Sequence, residues 1–331
     1  MKRIALGRTG QSVAALGLGC AGMSDNYGPA DREQSLATLR TALDNGIEVL
    51  DTANAYGDGH NEELIGAFLR DYGRERALVA TKFGRVASSP GSPPRLDNSP
   101  AHIAEACEAS LRRLGVDTID LYYMHRRDPA VPLADSIGAM ARLVETGKVR
   151  WLGMSEVRPA TLREAYAVHP ITALQSEYSL WTRDPESGVL DACRELGITF
   201  VAFAPLGRAF LTGAMDPSRL TETDYRSRLP RFQGEAATQN LALASRLREF
   251  ARECNLPPAQ VALAWLLAKN VGGQTVLPIP GTKRPHYVLE NVAAAQVELG
   301  PAGVAELDAM FPPGAARGLR YTIEETVHLG V

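Results

Sequence analysis

Residues 46–69 read GIEVLDTANAYGDGHNEELIGAFL. The apolar run from Ile47 to Leu50, closed by Asp51, has the length and composition of a short buried strand. Tyr56 and His60 follow in a glycine-rich loop. Asn61 is placed to cap a helix, with Glu62 and Glu63 in its first turn, where the helix dipole favours anions. Strand, polar loop and helix make one βα unit, and the rest of the chain repeats it.

Seven further runs have strand character: Ala15–Gly19, Ala77–Lys82, Ile119–His125, Val149–Met154, Ala173–Gln175, Thr199–Ala204 and Gln274–Ile279. Helical segments separate most of them. Ser99-Pro100 opens one, with Ser as N-cap and Pro at the first helical position. Ile103, Cys107, Leu111 and Leu114 then fall on one face, and Gly115 ends it. Leu241–Cys254 and Ala259–Lys269 read as two consecutive helices. Before the first barrel run, KRIALGRTGQSVAALGLGC holds two short strands broken at Gly10, as in a hairpin.

Strands alternating with helices imply a parallel sheet, and eight of them imply closure. The expected fold is α/β: a (β/α)8 TIM barrel over residues 1–331 as a single domain, with an N-terminal β-hairpin and long loops on the C-terminal face. The rival is a doubly wound open sheet, which usually carries G-x-G-x-x-G in its first βα turn when it binds a dinucleotide. Here that turn is GLGCAGMSDN, and no helix begins directly after it. Two loops are long enough to be lids or binding segments, Gly84–Asn98 and Pro205–Thr238.

The 331 residues are 45% hydrophobic and carry a formal net charge of −3. No polybasic run is present, which argues against nucleic acid or anionic membrane as a partner. Cys20, Cys107, Cys193 and Cys254 lie far apart without metal-ligand spacing, so no metal site is expected and the thiols read as small hydrophobes of a reducing compartment. MKRIALGRTG lacks an apolar signal core, and no apolar run reaches the roughly 18 residues of a membrane span. The expectation is a cytoplasmic protein.

In a parallel barrel, chemistry sits where the strands end. Asp51 ends IEVLD, Lys82 ends ALVATK and His125 ends IDLYYMH, with Tyr56 five residues past Asp51. Singly, each has a structural explanation: a turn-forming Asp, a solvated Lys, a hydrogen-bonded core His, a packing Tyr. Together they suit proton delivery. A phenol has an ordinary pKa of about 10, which a nearby ammonium lowers. An Asp holds the Lys charged and oriented. A His beside the Tyr can hydrogen-bond a carbonyl oxygen as a hydride arrives at carbon. The side chains supply no hydride, so a nicotinamide cofactor is implied.

These motifs resemble those of the aldo-keto reductase superfamily from end to end. DTANAYGDGHNEELIGAFL is similar to its signature D-T-A-x-x-Y-G-x-x-x-x-E-x-x-(L/I)-G. TKFG, DLYYMHRRDPAVP, GKVRWLGMSE, LQSEYSLW, FAPLGRAFLTG and PIPGTKRPHYVLENV resemble its later motifs in the same order. The resemblance implies reduction of aldehydes or ketones by NADPH. Asp51, Tyr56, Lys82 and His125 would form the catalytic tetrad, with Tyr56 as general acid. Ser155 and Gln175 would hold the nicotinamide carboxamide, and Phe203 would stack on the ring. Pro205, Leu206, Gly207 and Arg208 would approach the pyrophosphate. Gly281, Thr282, Lys283 and Arg284 would take the 2′-phosphate, and Glu290 and Asn291 would reach the adenine. Glu156 stands where many relatives have Asn, and Ala209 where many have Gly. His60 has no family role.

The implied substrate is a small-molecule carbonyl compound. Met23, Trp181, the loop with Arg95, and Arg226 to Phe232 are candidates to wall its pocket. Arg126 would either meet an acidic substrate or pair with a nearby carboxylate. Two other readings stay open: an NADPH-binding sensor or regulatory subunit of the same fold, and a barrel lyase or hydrolase using Asp51 and Lys82 as acid and base.

Overall fold

The computed structural model describes residues 1–86, 95–326 and 328–330. It begins with an antiparallel hairpin, β1 (Arg3–Ala5) and β2 (Ser12–Ala14). There follow β3 (Leu18–Gly19), α1 (Arg32–Asp44), β4 (Val49–Asp51), α2 (His60–Tyr72) and β5 (Leu78–Phe83). A two-residue antiparallel pair, β6 (Arg85–Val86) and β7 (Arg95–Leu96), leads to α3 (Pro100–Leu114). Next come β8 (Ile119–Met124), α4 (Leu133–Glu145), β9 (Val149–Ser155), α5 (Pro159–Val168), β10 (Ala173–Glu177), α6 (Val189–Leu196) and β11 (Thr199–Phe203). The chain ends with α7 (Gly234–Glu253), α8 (Pro258–Leu267), β12 (Val276–Pro278), α9 (Pro285–Ala293), α10 (Gly300–Met310) and α11 (Ile323–Thr326).

Eight parallel strands run in the order β3-β4-β5-β8-β9-β10-β11-β12. The first and last meet: Gly17 N–H donates to Pro278 O at 3.0 Å, Gly19 N–H donates to Pro280 O at 3.3 Å, and Gly19 bridges Gly281. The sheet is therefore a closed (β/α)8 barrel. Closure needs Gly19, because a Cβ there would lie 2.9 Å from Ile279 O.

Alternation along the strands sorts side chains into two layers. Val49, Ala80, Leu121, Tyr123, Ala173, Val201 and Leu277 fill the barrel interior, with Leu6 and Val13 of the hairpin below them. Leu50, Val79, Tyr122, Leu152, Leu174 and Phe200 point outward to the helices. Inside the barrel, Gly153 makes room for Tyr123: a Cβ at 153 would lie 2.4 Å from Tyr123 Cδ1. Tyr123 is 1% exposed and has nowhere to go. Gly153→Ala is therefore expected to cost about 1–3 kcal/mol, the usual range for overpacking a core. A lowered midpoint in thermal unfolding checks it.

Ser99 caps α3 as its sequence predicts, accepting from His102 N–H, and Gly115 closes it in the left-handed region. Asn61 departs from expectation. Helix α2 begins at His60 with Gly59 as an N-cap that offers no side-chain bond. Asn61 is instead fully buried: its Oδ1 accepts from Thr52 Oγ1 at 2.7 Å, and its Nδ2 donates to Cys20 O and Ser24 Oγ at 2.9 and 2.8 Å. Asn suits a cap or a buried junction equally well, and here the junction between two loops claims it. Helix α7 starts at Gly234, seven residues before the expected Leu241, which shortens the Pro205–Thr238 loop. Within that loop Phe210–Thr212, Pro217–Arg219, Tyr225–Arg228 and Pro230–Phe232 are 3₁₀ turns. The ends of the other long loop pair as β6 and β7, and its residues 87–94 lie outside the described residues. Among the described residues, no helix is long and apolar enough to cross a membrane.

Candidate active site

Asp51 shares the interior face with Val49, Lys82 shares it with Ala80, and His125 continues the face of Tyr123. Register aligns them, since Asp51 lies opposite Ala80 and Lys82 opposite Tyr123. The three side chains thus stand just above the interior apolar layer, at the C-terminal ends of neighbouring strands. Tyr56 reaches the same place from the loop after β4. Its N–H donates to Ala53 O at 3.1 Å, and its carbonyl accepts from Asn61 N–H at 3.2 Å. The buried Asn61 amide therefore fixes the loop that presents Tyr56.

Lys82 is fully buried and holds the group together. Its Nζ donates to Asp51 Oδ1 at 2.5 Å, to Thr52 O at 2.7 Å and to Tyr56 Oη at 3.3 Å. The rings of Tyr56 and His125 meet edge-on, with centroids 5.9 Å apart. His125 Nδ1 is buried and has no partner among the described residues.

The charges follow from this packing. Burial lowers the Lys82 pKa, but Asp51 and Tyr56 raise it more, so the ammonium is held above its ordinary range. Burial raises the Asp51 carboxyl against the pull of Lys82 and Gln175. His125 lies well below its ordinary value, through burial first and then Arg126, Lys82 and Arg85, so the imidazole is neutral. Tyr56 corrects an expectation. Its pKa is raised, not lowered, because burial outweighs the opposing ammonium of Lys82. A neutral phenol beside a neutral imidazole is a pair of proton and hydrogen-bond donors.

The candidate cofactor residues lie along the same rim. Ser155 is buried at the end of β9, and its Oγ accepts from Arg126 Nη1 at 3.1 Å. Gln175 Nε2 donates to Asp51 Oδ2 at 2.7 Å, so Gln175 also anchors the carboxylate that holds Lys82. Phe203 ends β11, half-buried above the interior layer. Pro205 and Leu206 follow it. Gly207, Arg208 and Ala209 are all left-handed, at φ 57°, 56° and 76°. Successive N–H groups in such a turn make an anion-binding concavity. The Arg208 side chain, however, turns to Glu177 Oε2 at 3.3 Å and Tyr27 Oη at 3.3 Å.

Gly281 and Thr282 lead into α9, with Arg284 exposed at its N-cap. Lys283 differs from expectation. Its Nζ donates to the carbonyls of Tyr27, Gly28 and Pro29 at 3.0, 2.8 and 2.6 Å, pinning the loop after β3. Arg284 is the freer cation of the two. Glu290 and the buried Asn291 sit on α9, one turn and more further along.

Both candidate substrate residues are buried. Met23 is 1% exposed and Trp181 is 3% exposed. Trp181 packs against Phe210 and Phe232, at centroid distances of 4.7 and 6.0 Å, and lies under Gly207, so it supports the loop. His60 is exposed, with Nδ1 2.9 Å from Ser24 Oγ.

One part of the rim carries no signal in the sequence reading. The segment after α10 crosses the strand ends and is latched there. Arg320 donates to both carboxylate oxygens of Glu156, at 3.0 and 2.9 Å, and lies 3.8 Å from Glu177 and 3.3 Å from Asp184. Glu156, at φ 55°, also accepts from Glu177 N–H at 2.8 Å. Glu156 thus anchors the tail. Tyr321 meets Arg126, and Gly330 N–H donates to Glu156 O at 2.9 Å.

A sequence model of the Aldo/keto reductase family matches residues 15–311. The chain belongs to that family. It is an oxidoreductase. The NADP(+) aldo-keto reductase yakc of Schizosaccharomyces pombe is 43% identical over 319 residues, covering 92% of this chain and 93% of the relative. A probable aldo-keto reductase of Glycine max is 40% identical over 319 residues, covering 96% and 91%. Among solved structures, a glycerol dehydrogenase from Gluconobacter oxydans superposes with a TM-score of 0.83 at 28% identity, covering 94% of this chain and 96% of that one. An aldo/keto reductase from Klebsiella pneumoniae, in complex with NADP and acetate, gives 0.72 at 28% identity, covering 97% and 99%. The aldo/keto reductase membership agrees with carbonyl reduction at a barrel mouth.

Proposed function

We propose that residues 1–331 act as one barrel domain that reduces aldehydes and ketones to alcohols with NADPH. The observation that carries this reading is Lys82 Nζ, buried between Asp51 Oδ1 and Tyr56 Oη at 2.5 and 3.3 Å. A carbonyl oxygen set against Tyr56 and His125 accepts two hydrogen bonds, from the phenol and the neutral imidazole. These donors face the oxygen on which charge develops, where they are worth most. Tyr56 then gives up its proton, and the ammonium of Lys82 stabilises the tyrosinate that remains. Asp51, braced by Gln175, keeps the ammonium in line.

Phe203, the left-handed turn at Gly207 to Ala209, and Arg284 would hold the cofactor. The fit rests on Arg284, exposed at the N-cap of α9, and on the buried His125 Nδ1, which has no partner among the described residues. A bound nicotinamide supplies the hydride to the carbonyl carbon. The names of relatives that include NADP favour the phosphorylated form.

Two measurements test this. Oxidation of NADPH is followed at fixed enzyme across a panel of aldehydes and ketones. Turnover of several supports the reading, whereas tight NADPH binding without turnover of any points to a sensor. Arg284→Met is then expected to weaken NADPH by about ten-fold or more, the loss of one charge-assisted bond, and to leave NADH unchanged. Arg284 is the better probe, because removing Lys283 also frees the Tyr27–Pro29 loop. Equal losses for both cofactors would place the 2′-phosphate elsewhere.

A further inference from the structure

Three arginines among the described residues are buried: Arg126, Arg183 and Arg231. Arg183 faces Glu186 and Asp308, at 2.5 and 3.0 Å, and Arg231 faces Glu177 at 3.5 Å. Arg126 has no carboxylate in reach among the described residues. Its Nη1 donates to His125 O at 2.7 Å and Ser155 Oγ at 3.1 Å, and its Nη2 donates to Tyr321 Oη at 3.3 Å. All its partners are neutral. A guanidinium buried without a counter-charge is costly, and an anion placed against it would offset that cost.

The surroundings agree. Arg126 borders a cavity also lined by Arg85, Leu96, Tyr321, Glu325 and His328. Its one acid among the described lining residues, Glu325, is already engaged: Oε2 accepts from Tyr225 Oη at 2.8 Å, and Oε1 lies 3.7 Å from Arg85. Asp128 acts on His328 from outside the lining, so among the described lining residues two guanidinium groups border a single carboxylate. Arg126 lies close to the tetrad: its Nη1 donates to His125 O, and its charge helps to lower the His125 pKa.

We propose that this cavity receives the anionic end of the carbonyl substrate, a carboxylate or a phosphate monoester, with Arg126 holding it. The inference rests on the carbonyl-reduction reading and names the substrate class for it. An anion exchanges a long, neutral bond to Tyr321 for a charge-assisted and potentially bidentate one. As it stands the cavity has about 10 Å³, the space of one water. Tyr321 and His328, both on the tail, are the side chains that must give way to a ligand.

Calorimetric titration of the full chain with bound NADP+ tests this, using butanoate and propyl phosphate as anionic probes and butanamide as the neutral one. At least one anion is expected to bind ten-fold or more tightly than butanamide. Arg126→Gln should abolish that preference, and Arg126→Lys, which keeps the charge should Gln impair folding, should retain part of it. Tyr56→Phe should leave it intact. A preference that survives Arg126→Gln, or one that vanishes in Tyr56→Phe, overturns the assignment, the latter by placing the anion at the tetrad. In parallel, kcat/KM is compared for 4-oxobutanoate and its methyl ester. The acid is expected to lead, and Arg126→Gln should collapse the ratio through KM. Reduction of the ester without preference for the acid sinks the anion site and keeps the reductase. Arg126-dependent anion binding without any reduction keeps the site and sinks the reductase.

Discussion

Tyr56→Phe is expected to lower kcat/KM for carbonyl reduction by about 10²–10⁴-fold, the usual worth of a positioned proton donor. The substitution removes one oxygen and little packing. Tyr56 is half-buried, and its ring meets His125 edge-on. A Phe ring keeps that contact, so folding and NADPH affinity should be unchanged. Among the described residues, the Tyr56 hydroxyl accepts only the long bond from Lys82, at 3.3 Å. Losing that bond leaves Lys82 with Asp51 and Thr52 O, which is enough to keep it charged. Steady-state kinetics alongside circular dichroism and cofactor titration separate the two effects. Unchanged turnover would remove Tyr56 from the mechanism.

Lys82→Met should be the most damaging change to stability. Lys82 and Asp51 are both buried, and their ion pair is 2.5 Å long. Removing one partner of such a pair leaves a buried charge uncompensated, which typically costs about 3–5 kcal/mol. Replacing both is milder, since neutral groups of similar shape pack without that penalty. Lys82→Met with Asp51→Asn is therefore expected to recover most of the loss, because Asn can still accept from Gln175. Both variants should be inactive or nearly so. Thermal unfolding of the two singles and the double, treated as a cycle, reads the coupling. Additive losses would mean that the pair does not carry the charge balance described here.

The barrel was legible because its signals are local and periodic. Each strand is a short apolar run, and the residue at its end shares the face of the residue two before it. That rule alone brings Asp51, Lys82 and His125 to one rim. Asn61 misled because an amide before an amphipathic helix looks like a cap, whether it caps or bridges two buried loops. Met23 and Trp181 are buried in the structure, and apolar residues in loops can wall a pocket or pack beneath one, a choice that sequence alone leaves open. Arg320 was invisible: its bonds to Glu156 span 164 residues, and the tail around it has no period. What lies beside Arg126 is likewise a question of proximity in space: the sequence allows an acidic substrate or a carboxylate partner, and among the described residues its side-chain partners are His125 O, Ser155 Oγ and Tyr321 Oη.

The pH profile of kcat/KM for carbonyl reduction tests the central claim most directly. His125 stays neutral well below its ordinary pKa, and burial raises Tyr56 above about 10. The active form, with Tyr56 protonated, is present below the Tyr56 pKa and lost as pH rises through it. The profile should be flat from about pH 6 to 9 and fall only beyond, and the fall should be absent from the residual activity of Tyr56→Phe. A limb centred near pH 6.5 in the wild type, retained in Tyr56→Phe, would make His125 the acid and contradict the account.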